Sequence, residues 1–251
     1  MSPAPYAEGY KELMPSSADD GVGFYSRNAA EFHASYESDP NRIERLRVWR
    51  QFLDRHATAA RFAYDLGCGS GLLACELGAR GIETIGIDGA AGMLAIAQRV
   101  AQSHGLTNVS FQQHRLPLAD TSGLRRAELV ISSSALEYLE SIPLALGFLR
   151  SLLADAGIAI FSISNRDSLS RACVRTVHYL TGRPRYLRYL RHFMTVTQIQ
   201  AALAAAGFTY LEHTYFGRAD RLNRLLGHFL APRLASNMII VAARCDPRGT
   251  T

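Results

Sequence analysis

The sequence predicts an α/β fold, a doubly wound and mostly parallel seven-stranded sheet, with helices before it and a helical insertion after its fifth strand. Two observations predict this class. Short apolar strands alternate with helical segments between residues 61 and 165, and a glycine-rich turn follows the first strand. Helices that alternate with short apolar strands are typical of a parallel sheet covered on both faces.

Two helices are predicted ahead of the first strand. Aromatic residues at helical spacing predict a short amphipathic helix over residues 22–36: Tyr25, Phe32 and Tyr36. Asp39 and Pro40 then begin a stronger helix, because proline is favoured in a first helical turn. Its apolar face is predicted to contain Ile43, Leu46, Trp49 and Leu53.

Strands and helices alternate after residue 56. Strands are predicted at residues 61–66, 82–87, 109–112, 129–132 and 157–163. Helices are predicted at residues 72–79, 90–103 and 144–153. A basic segment, residues 168–190, is predicted to be helical, and a helix over residues 195–206 ends at Gly207. Two last strands, 208–216 and 238–243, flank an arginine- and leucine-rich stretch at residues 218–230.

Size and composition indicate one globular domain. The chain has 251 residues, of which 48% are hydrophobic and 20% charged, so it can bury a core without disulfides or metals. The spacing of its four cysteines fits neither a zinc knuckle nor a CxxC pair, which favours a reduced, cytoplasmic protein. The N-terminus lacks the apolar stretch of a signal peptide, and no apolar run approaches the ~18 residues of a membrane span. A net charge of +5 leaves nucleic-acid and anionic-membrane partners open.

The most informative segment is the glycine loop, residues 65–71 (DLGCGSG), between the first strand and the next helix. Gly67, Gly69 and Gly71 allow a sharp turn and leave room for a ligand against the main chain. The N–H groups at the start of the helix then face that ligand. The next strand ends at Asp88, whose carboxylate can accept hydrogen bonds from two ribose hydroxyls.

The glycine spacing and its acids restrict the class of ligand. Dinucleotide enzymes use GxGxxG, whereas this loop has GxGxG. Asp65 would repel a pyrophosphate but would attract a cationic ligand with an amino group. The alternative is a glycine turn that only packs the helix on the strand. The position of Asp65 before the loop and Asp88 after it favours the ligand-binding interpretation.

This constellation resembles the class I S-adenosylmethionine-dependent methyltransferases, over about residues 25–244. The resemblance implies a Rossmann-like methyltransferase fold, with S-adenosylmethionine as methyl donor and S-adenosylhomocysteine (SAH) as product. Residues 129–139 (LVISSSALEYL) and 160–166 (IFSISNR) resemble small-molecule members, including the ubiquinone O-methyltransferases. The helix that carries Tyr25 resembles the cap that closes over the methyl donor in that group. The implied donor-binding residues are Tyr25, Asp65, Gly67, Cys68, Gly69, Gly71, Asp88, Gly89, Met93, Arg115, Leu116 and Ser133.

The chain departs from that family in two places. The family often has an acid after the third strand that binds the adenine amino group, whereas this chain has His114 and Arg115 there. Gln112, Gln113 or a backbone group are the alternatives for that contact. The ubiquinone enzymes carry acid and histidine residues, thought to hold a metal, where this chain has Ser134 and Tyr138, so no metal is expected.

Methyl transfer from a sulfonium is an in-line displacement, which requires alignment of the acceptor with the methyl group. A hydroxyl acceptor also benefits from a base, for which the candidates are His33, Glu137, His178 and His192. Glu137 is the best placed by resemblance, because its segment borders the active site, and His33 lies on the cap helix. The structural alternatives are a helix-capping or surface carboxylate for Glu137 and a packed or surface side chain for His33.

The basic charge is concentrated in one segment, which contains Arg166, Arg171, Arg175, Arg183, Arg185, Arg188 and Arg191. Tyrosines and leucines alternate with these arginines. Residues 168–191 are interpreted as an interfacial lid for a lipid-like acceptor or for anionic lipid, which would allow peripheral membrane contact. The alternatives are a clamp for an acidic substrate and a solvated charged face.

Three functional hypotheses follow. The first is a methyltransferase that acts on a small molecule, with oxygen as the expected acceptor and no nucleic-acid partner. The second is a nucleic-acid methyltransferase, although residues 132–135 (SSSA) do not match the Asn/Asp-Pro-Pro-Tyr motif of enzymes that methylate exocyclic amines, and no RNA-binding domain is recognisable. The third is a non-catalytic module that binds the methyl donor.

The single domain is expected to comprise flexible residues 1–21, cap helices 22–56, a donor-binding core 61–165, a basic helical lid 166–193, and a C-terminal helix and strands 194–244.

Overall fold

The computed structural model describes residues 20–218, 224 and 227–248. Its sheet contains β1 (Phe62–Leu66), β2 (Glu83–Asp88), β3 (Val109–Gln113), β4 (Ala127–Ser133), β5 (Leu153–Ser164), β6 (Phe208–Phe216) and β7 (Met238–Cys245). The strand order is β3-β2-β1-β4-β5-β7-β6. Strands β1 to β5 pair in parallel, and β7 pairs antiparallel with both β5 and β6. The predicted doubly wound, mostly parallel sheet is therefore confirmed.

Eight α-helices of the described residues precede, connect or follow these strands. They are α1 (Gly21–Arg27), α2 (Ala29–Ser38), α3 (Pro40–His56), α4 (Leu72–Ala79), α5 (Ala91–Ser103), α6 (Ile142–Leu152), α7 (Leu169–Thr181) and α8 (Val196–Ala205). Short 3-10 turns form at Leu136–Tyr138 and Arg185–Tyr189, and one helical turn at Pro232–Ala235. None of the described helices combines the length and the apolar character needed to cross a membrane.

Helices cover both faces of the sheet, and successive strand residues pack on opposite sides. Val130 lies in a buried cluster with Leu146 and Leu149 of α6. Its neighbour Leu129 lies in the cluster that contains Trp49 of α3. Both positions are fully buried because side chains alternate along a strand and each face is covered.

The strand order places a crevice beside the carboxyl ends of β1 and β4. The chain crosses from β3 at one edge of the sheet to β4 on the other side of β1, so the connections on either side of β1 run in opposite directions. Ligands of open α/β sheets bind outside the carboxyl ends of the strands at such a switch point. The glycine loop after β1 and the turn after β4 both lie there.

The prediction of one continuous helix over residues 22–36 is wrong. The segment consists of α1 and α2, which are separated at Asn28. The Asn28 side chain donates from Nδ2 to the Phe24 carbonyl (2.7 Å) and so caps the end of α1. Asparagine side chains commonly compete with the helical backbone in this way.

The predicted helix over residues 168–190 is wrong in its second half. Helix α7 ends at Thr181, because Gly182 has φ +69°, a left-handed conformation that glycine adopts without strain. Pro184 follows, and it cannot donate a backbone hydrogen bond to continue a helix. Residues Arg185–Tyr189 form only a 3-10 turn, so the predicted helical lid is a helix followed by an irregular segment.

Two further predictions need comment. The buried face of α3 contains Val48, Trp49, Phe52 and Leu53, whereas Ile43 is 50% exposed, because the first turn of α3 extends beyond the sheet-covering part of the helix. The prediction of flexibility for the N-terminus falls mainly on residues 1–19, which lie outside the described residues. Most of the arginine- and leucine-rich stretch, residues 219–223, 225 and 226, also lies outside them.

Candidate active site

The glycine loop folds back on the end of β2. Gly67 donates its N–H to the Ile87 carbonyl (2.7 Å), and Gly69 donates to Asp88 Oδ2 (2.9 Å). Gly67, Gly69 and Gly71 have φ values of +69°, +53° and +79°, which explains the glycine at each position. The predicted sharp turn is therefore present.

Gly67 and Gly69 differ in what a side chain would meet. A Cβ at Gly67 would overlap the side chain of Ala135, which follows β4. At Gly69 the nearest atom to such a Cβ would be Phe32 Cε1 on the cap, at 3.9 Å. Gly67 thus permits close packing of two loops, whereas a Cβ at Gly69 would meet only the edge of the Phe32 ring at ordinary contact distance.

Asp65, the penultimate residue of β1, is a buried carboxylate. Neither of its oxygens has a hydrogen-bond partner among the described residues. Burial, and then the charge of Asp88, raise the pKa of Asp65 to about 8, against a smaller opposing effect of the Ala74 amide. A buried polar group without a partner costs free energy and is rare in native proteins, so this carboxylate fits a ligand that supplies a cationic amino group.

Asp88 connects the glycine loop with helix α5. Its Oδ1 accepts from the Ala90 N–H (2.8 Å), and its Oδ2 accepts from the Gly69 N–H (2.9 Å). Burial raises the pKa of Asp88 against these hydrogen bonds. Each carboxylate oxygen retains acceptor capacity, which fits the two hydroxyls of a ribose.

The cap helix α1 lies against these elements. Ser26 Oγ accepts from the Gly92 N–H of α5 (2.9 Å). Asp20, which caps α1 by accepting from Gly23, also pairs with Arg115 Nη1 (2.5 Å). The cap is thereby attached to α5 and to the turn after β3.

A second contact attaches the cap to the turn after β4. The hydroxyls of Tyr25 and Tyr138 are 2.6 Å apart, and their rings meet edge to face. Burial raises the pKa of both hydroxyls, so both are protonated near neutral pH.

The remaining residues predicted to bind the methyl donor have the following surroundings. Met93 is buried beneath the cap in the cluster of Ala29, Ala90 and Ile96. Gly89 packs against Val22, Leu116 packs on the main core, and Ser133 Oγ accepts from Arg45 Nη1 (3.4 Å). Cys68 adjoins Gly69, and burial raises the pKa of its thiol well above the ordinary value. Their roles in binding stay predictions.

Glu137 is buried in the turn after β4. Its Oε2 accepts from the Ser164 N–H at the end of β5 (2.5 Å). Burial raises the pKa of Glu137, and the charges of Arg171 and Arg45 oppose that rise without cancelling it. A carboxylate with a raised pKa is a better proton acceptor than an ordinary surface carboxylate.

The histidine candidates differ in their contacts. His192 Nε2 is engaged with the Leu139 carbonyl (2.9 Å). The Nδ1 atoms of His33 and His178 are buried and have no partner among the described residues. Of these, His33 follows Phe32, the residue that faces Gly69.

Three residues around Glu137 could not be recognised from the sequence as neighbours in one site: Tyr138, Tyr186 and Arg171. Tyr138 bonds the cap, while Tyr186 accepts from Arg171 Nη1 (2.8 Å). Arg171 was recognisable only as one of seven arginines, and Tyr186 as one of several tyrosines. Within the described ranges, no group of three or more histidine, cysteine, aspartate or glutamate side chains is close enough to hold a metal ion.

The fold, the GxGxG loop and the two acids at the switch point define a class I, Rossmann-like S-adenosylmethionine-dependent methyltransferase. The family described as "Methyltransferase domain" matches residues 40–213. The chain belongs to this family.

Relatives with curated names agree with that class. The chain is 31% identical over 151 residues to a ubiquinone biosynthesis O-methyltransferase of Azorhizobium caulinodans, an alignment that covers 59% of this chain and 58% of the relative. It is 23% identical over 218 residues to the protein of the same name in Acinetobacter baumannii, which covers 84% of this chain and 86% of that relative. The first alignment spans less than two thirds of the relative's own length.

Solved structures share the fold. The magnesium protoporphyrin IX methyltransferase of Synechocystis PCC 6803, crystallised with bound SAH, has a TM-score of 0.66. It is 18% identical, and the superposition covers 89% of this chain and 96% of that structure.

Proposed function

We propose that this chain transfers a methyl group from S-adenosylmethionine to an oxygen atom of a small molecule. The observation that carries this proposal is the buried Asp65 carboxylate. It has no hydrogen-bond partner in the described part of the chain, and it lies beside a glycine loop that Asp88 anchors. A ligand with an amino-acid end and a ribose satisfies both acids. The names of the relatives support an oxygen acceptor.

The residues proposed to bind the methyl donor form two groups, according to the part of the donor that each would contact. Asp65 and the loop from Gly67 to Gly71 would bind the amino-acid end, and Asp88 would bind the ribose. Bound S-adenosylmethionine supplies an electrophilic methyl group on a sulfonium. The chain must then hold the acceptor oxygen ~3–3.5 Å from that carbon and in line with the carbon–sulfur bond.

Glu137 is the proposed proton acceptor. The carbon–sulfur bond breaks with its electron pair remaining on sulfur, an oxygen–carbon bond forms, and the acceptor hydroxyl transfers its proton to the Glu137 carboxylate. The buried position of Glu137 beside Ser164 and its raised pKa support this role. His33 is the second candidate, because its Nδ1 is buried without a partner and it lies on the cap.

Substitution of Glu137 tests the role of a base. Glu137→Gln retains the shape and can still accept from Ser164, but it cannot take up a proton. We expect kcat to fall by about 100-fold or more, the usual contribution of general-base catalysis, with SAH affinity unchanged. His33→Gln is the comparison. A loss of kcat in that variant, together with full activity of Glu137→Gln, would assign the base to His33.

A direct test of the function has two arms. Calorimetric titration with SAH measures binding of the donor product, and transfer of labelled methyl from S-adenosylmethionine is measured on a small-molecule extract and on bulk RNA. We expect micromolar SAH binding and label only in the small-molecule arm. Label in RNA would support the nucleic-acid alternative, whereas binding without transfer to either pool would support a non-catalytic module.

We also propose that residues 168–191 contact an anionic membrane surface, which would present a lipid-like acceptor. The outer face of α7 supports this, because Leu169, Val177 and Leu180 are exposed there and Leu180 is 74% exposed. Exposed arginines follow at Arg183 and Arg185. Apolar side chains beside cations match the boundary of an anionic bilayer. The proposed location is the cytoplasm, with reversible contact with such a surface.

Sedimentation with vesicles tests the membrane contact. Vesicles with anionic lipid should bind the protein at low salt, while neutral vesicles should bind less. Replacement of Arg183, Arg185, Arg188 and Arg191 by glutamine, or of Val177 and Leu180 by serine, should reduce binding without a change in SAH affinity. If the wild-type protein does not sediment with anionic vesicles at low salt, this part of the proposal is wrong.

A further inference from the structure

Helix α7 differs from an ordinary surface helix, because it exposes apolar side chains on one face and carries cationic side chains on the other. Leu169, Val177 and Leu180 are spaced to share one face, and that face is exposed. Arg171 and His178 lie half-buried on the opposite face, toward the body of the protein, and Arg175 beside them is exposed. There Arg175 stacks over the Phe193 ring (4.7 Å), and the Nδ1 of His178 is buried.

Arg171 is under-satisfied in this position. Its Nη1 donates to the Tyr186 hydroxyl (2.8 Å), and its Nη2 donates to the Met238 sulfur (3.3 Å), which is a weak acceptor. Its Nε is buried and has no partner among the described residues. No carboxylate of those residues comes within ion-pair distance of it, although its charge acts on Glu137 from farther away. A half-buried guanidinium without a carboxylate in direct contact has donors to spare for an anionic group.

The guanidinium lies at the edge of the sheet where the proposed reaction takes place. Met238 begins β7 and pairs with Ser164, the last residue of β5. The Ser164 N–H bonds the Glu137 carboxylate, and the charge of Arg171 acts on that carboxylate. Arg171 is therefore a neighbour of the proposed base.

The start of α7 is fixed, so the guanidinium is held in place. Ser168 and Ser170 both donate to Asn237 Oδ1, at 3.1 and 2.6 Å. Ser168 also caps the helix by accepting from the Arg171 N–H (3.2 Å). A cation on a preorganised element binds an anion with a smaller entropic cost than one on a mobile segment.

We propose that Arg171, together with Tyr186, binds an anionic oxygen group of the methyl acceptor, a carboxylate or a phosphate. The planar guanidinium has N–H groups to spare that match such an oxygen pair, and the Tyr186 hydroxyl can donate a further hydrogen bond. The Tyr186 ring lies beside it, and the paired rings of Tyr25 and Tyr138 lie at the turn that carries Glu137. The acceptor class is then a molecule with an aromatic or other flat apolar part, a methyl-accepting hydroxyl and an anionic group. This inference rests on the proposed function, since it assigns a role in acceptor binding.

The competing explanation is that Arg171 only keeps Glu137 ionised. Such a role would affect the pH dependence of methyl transfer and would not require an anion on the ligand. Binding of simple anions in the absence of turnover separates the two explanations.

The experiment uses benzoate and phenyl phosphate as anionic probes and benzyl alcohol as the neutral control. Binding to the full-length protein, saturated with SAH, is measured by ligand-observed NMR at millimolar concentrations. We expect one or both anions to bind and benzyl alcohol to bind more weakly. Preference for benzoate or for phenyl phosphate identifies the anionic group as a carboxylate or a phosphate.

Variants locate that binding. Arg171→Met should weaken anion binding about tenfold or more, because charged hydrogen bonds are lost. Arg171→Lys should retain part of the affinity, and Tyr186→Phe should lose a smaller factor. Arg166→Met removes an exposed arginine from the start of the same segment and should bind as the wild type does. If Arg171→Met does not fold, the lysine and Tyr186→Phe variants carry the test.

Two results would overturn the inference. One is a wild-type protein that binds SAH but neither anion at millimolar concentration. The other is unchanged anion binding in folded Arg171→Met, with or without a shift in the pH dependence of transfer. Failure of the wild type to bind SAH at all would instead contradict the proposed function, so the two failures are distinguishable.

Discussion

The buried Asp65 makes binding of the methyl donor depend on pH. With its pKa raised to about 8, Asp65 is protonated in the free protein at pH 7. An ammonium group beside it lowers that pKa, so binding should release about one proton at pH 7. Calorimetry with SAH in two buffers of different ionisation enthalpy measures this release. Asp65→Asn should abolish it, and equal heats for the wild type in both buffers would contradict the proposed contact.

The loss of Asp88 should have two effects. Asp88→Ala removes the partner of the Gly69 and Ala90 amides and the proposed ribose contacts. We expect SAH affinity to fall about tenfold or more and the melting temperature to fall as well. Asp88→Asn retains one acceptor oxygen and should be milder in both. The control is Asp120→Ala, which removes an exposed acid with a local hydrogen bond to Ser122. Unchanged SAH affinity in folded Asp88→Ala would remove this residue from the site.

The role of a single residue was predictable from the sequence where that role depends on the local backbone conformation. The loop glycines are at positive φ because a strand-to-helix turn requires it, and that requirement is visible in a seven-residue segment. The contact of Tyr25 with Tyr138 joins residues 113 positions apart, and Arg171 meets Met238 across 67 positions. Such contacts depend on how helices are placed over the sheet, which periodicity does not specify.

Among the elements, α1 depends on a few polar contacts to stay over the glycine loop. None of its residues is fully buried, although Val22 and Tyr25 pack partly buried on the cluster that contains Met93. Tyr25→Phe removes the 2.6 Å hydroxyl contact with Tyr138 but retains the ring packing. We expect faster amide hydrogen exchange in Gly21–Arg27, by about tenfold, with little change in the sheet.

A matched variant controls for a general loss of stability. Tyr64→Phe removes a hydroxyl that bonds the Arg125 carbonyl at the other end of the sheet, far from α1. It should leave exchange in Gly21–Arg27 unchanged. If Tyr25→Phe exchanges in α1 as slowly as the wild type does, the hydroxyl contact does not hold the cap.

Most element boundaries were predictable to within two residues, but β5 begins at Leu153 rather than at residue 157, and two predicted helices were interrupted by a side chain or an unusual backbone conformation. Leu72–Ala79 was predicted to the residue, since apolar periodicity begins directly after the glycine loop. The break at Asn28 depends on which backbone group its amide bonds, which composition does not specify. The end of α7 had a signal, because Gly182 and Pro184 lie close together, but the run of arginines and tyrosines suggested continuity. The division of the domain into functional parts stays a prediction.

For the whole molecule, the sequence predicted the number of strands and their mainly parallel pairing. It did not predict that β7 inserts between β5 and β6. β6 and β7 both contain enough apolar residues for either to lie between two other strands. Strands that follow one another along the chain usually pair in that order, which favours β6 beside β5. The burial of β7 on both faces, which is complete except at Arg244, makes it the central strand of the pair.

The overall dependence of stability on pH should reflect the buried acids at the active site. Asp65, Asp88 and Glu137 all have raised pKa values, so the folded protein keeps protons that the unfolded chain has lost above about pH 4. The free energy of unfolding should therefore fall as pH rises from about 5 to 8, by at most about 1.4 kcal/mol per pH unit for each proton. Acids with lowered pKa values act in the opposite sense, but at lower pH, where they become protonated: Asp20, Glu76, Glu128 and Glu212.

Urea unfolding at pH 5, 6, 7 and 8 measures this dependence. His213, whose pKa burial lowers, opposes the trend only below its ordinary pKa of about 6.5, because the folded protein then disfavours its charged form. Between pH 7 and 8 the decline should therefore come from the buried acids and, increasingly toward pH 8, from the thiols of Cys68, Cys75 and Cys245, whose pKa values burial also raises. Asp65→Asn should be less steep there, since the amide does not titrate, and saturating SAH should reduce the slope of the wild type. If the slopes of the wild type and Asp65→Asn are equal between pH 7 and 8, Asp65 does not titrate in that range in the folded protein, which would contradict its raised pKa and the proton release expected on SAH binding.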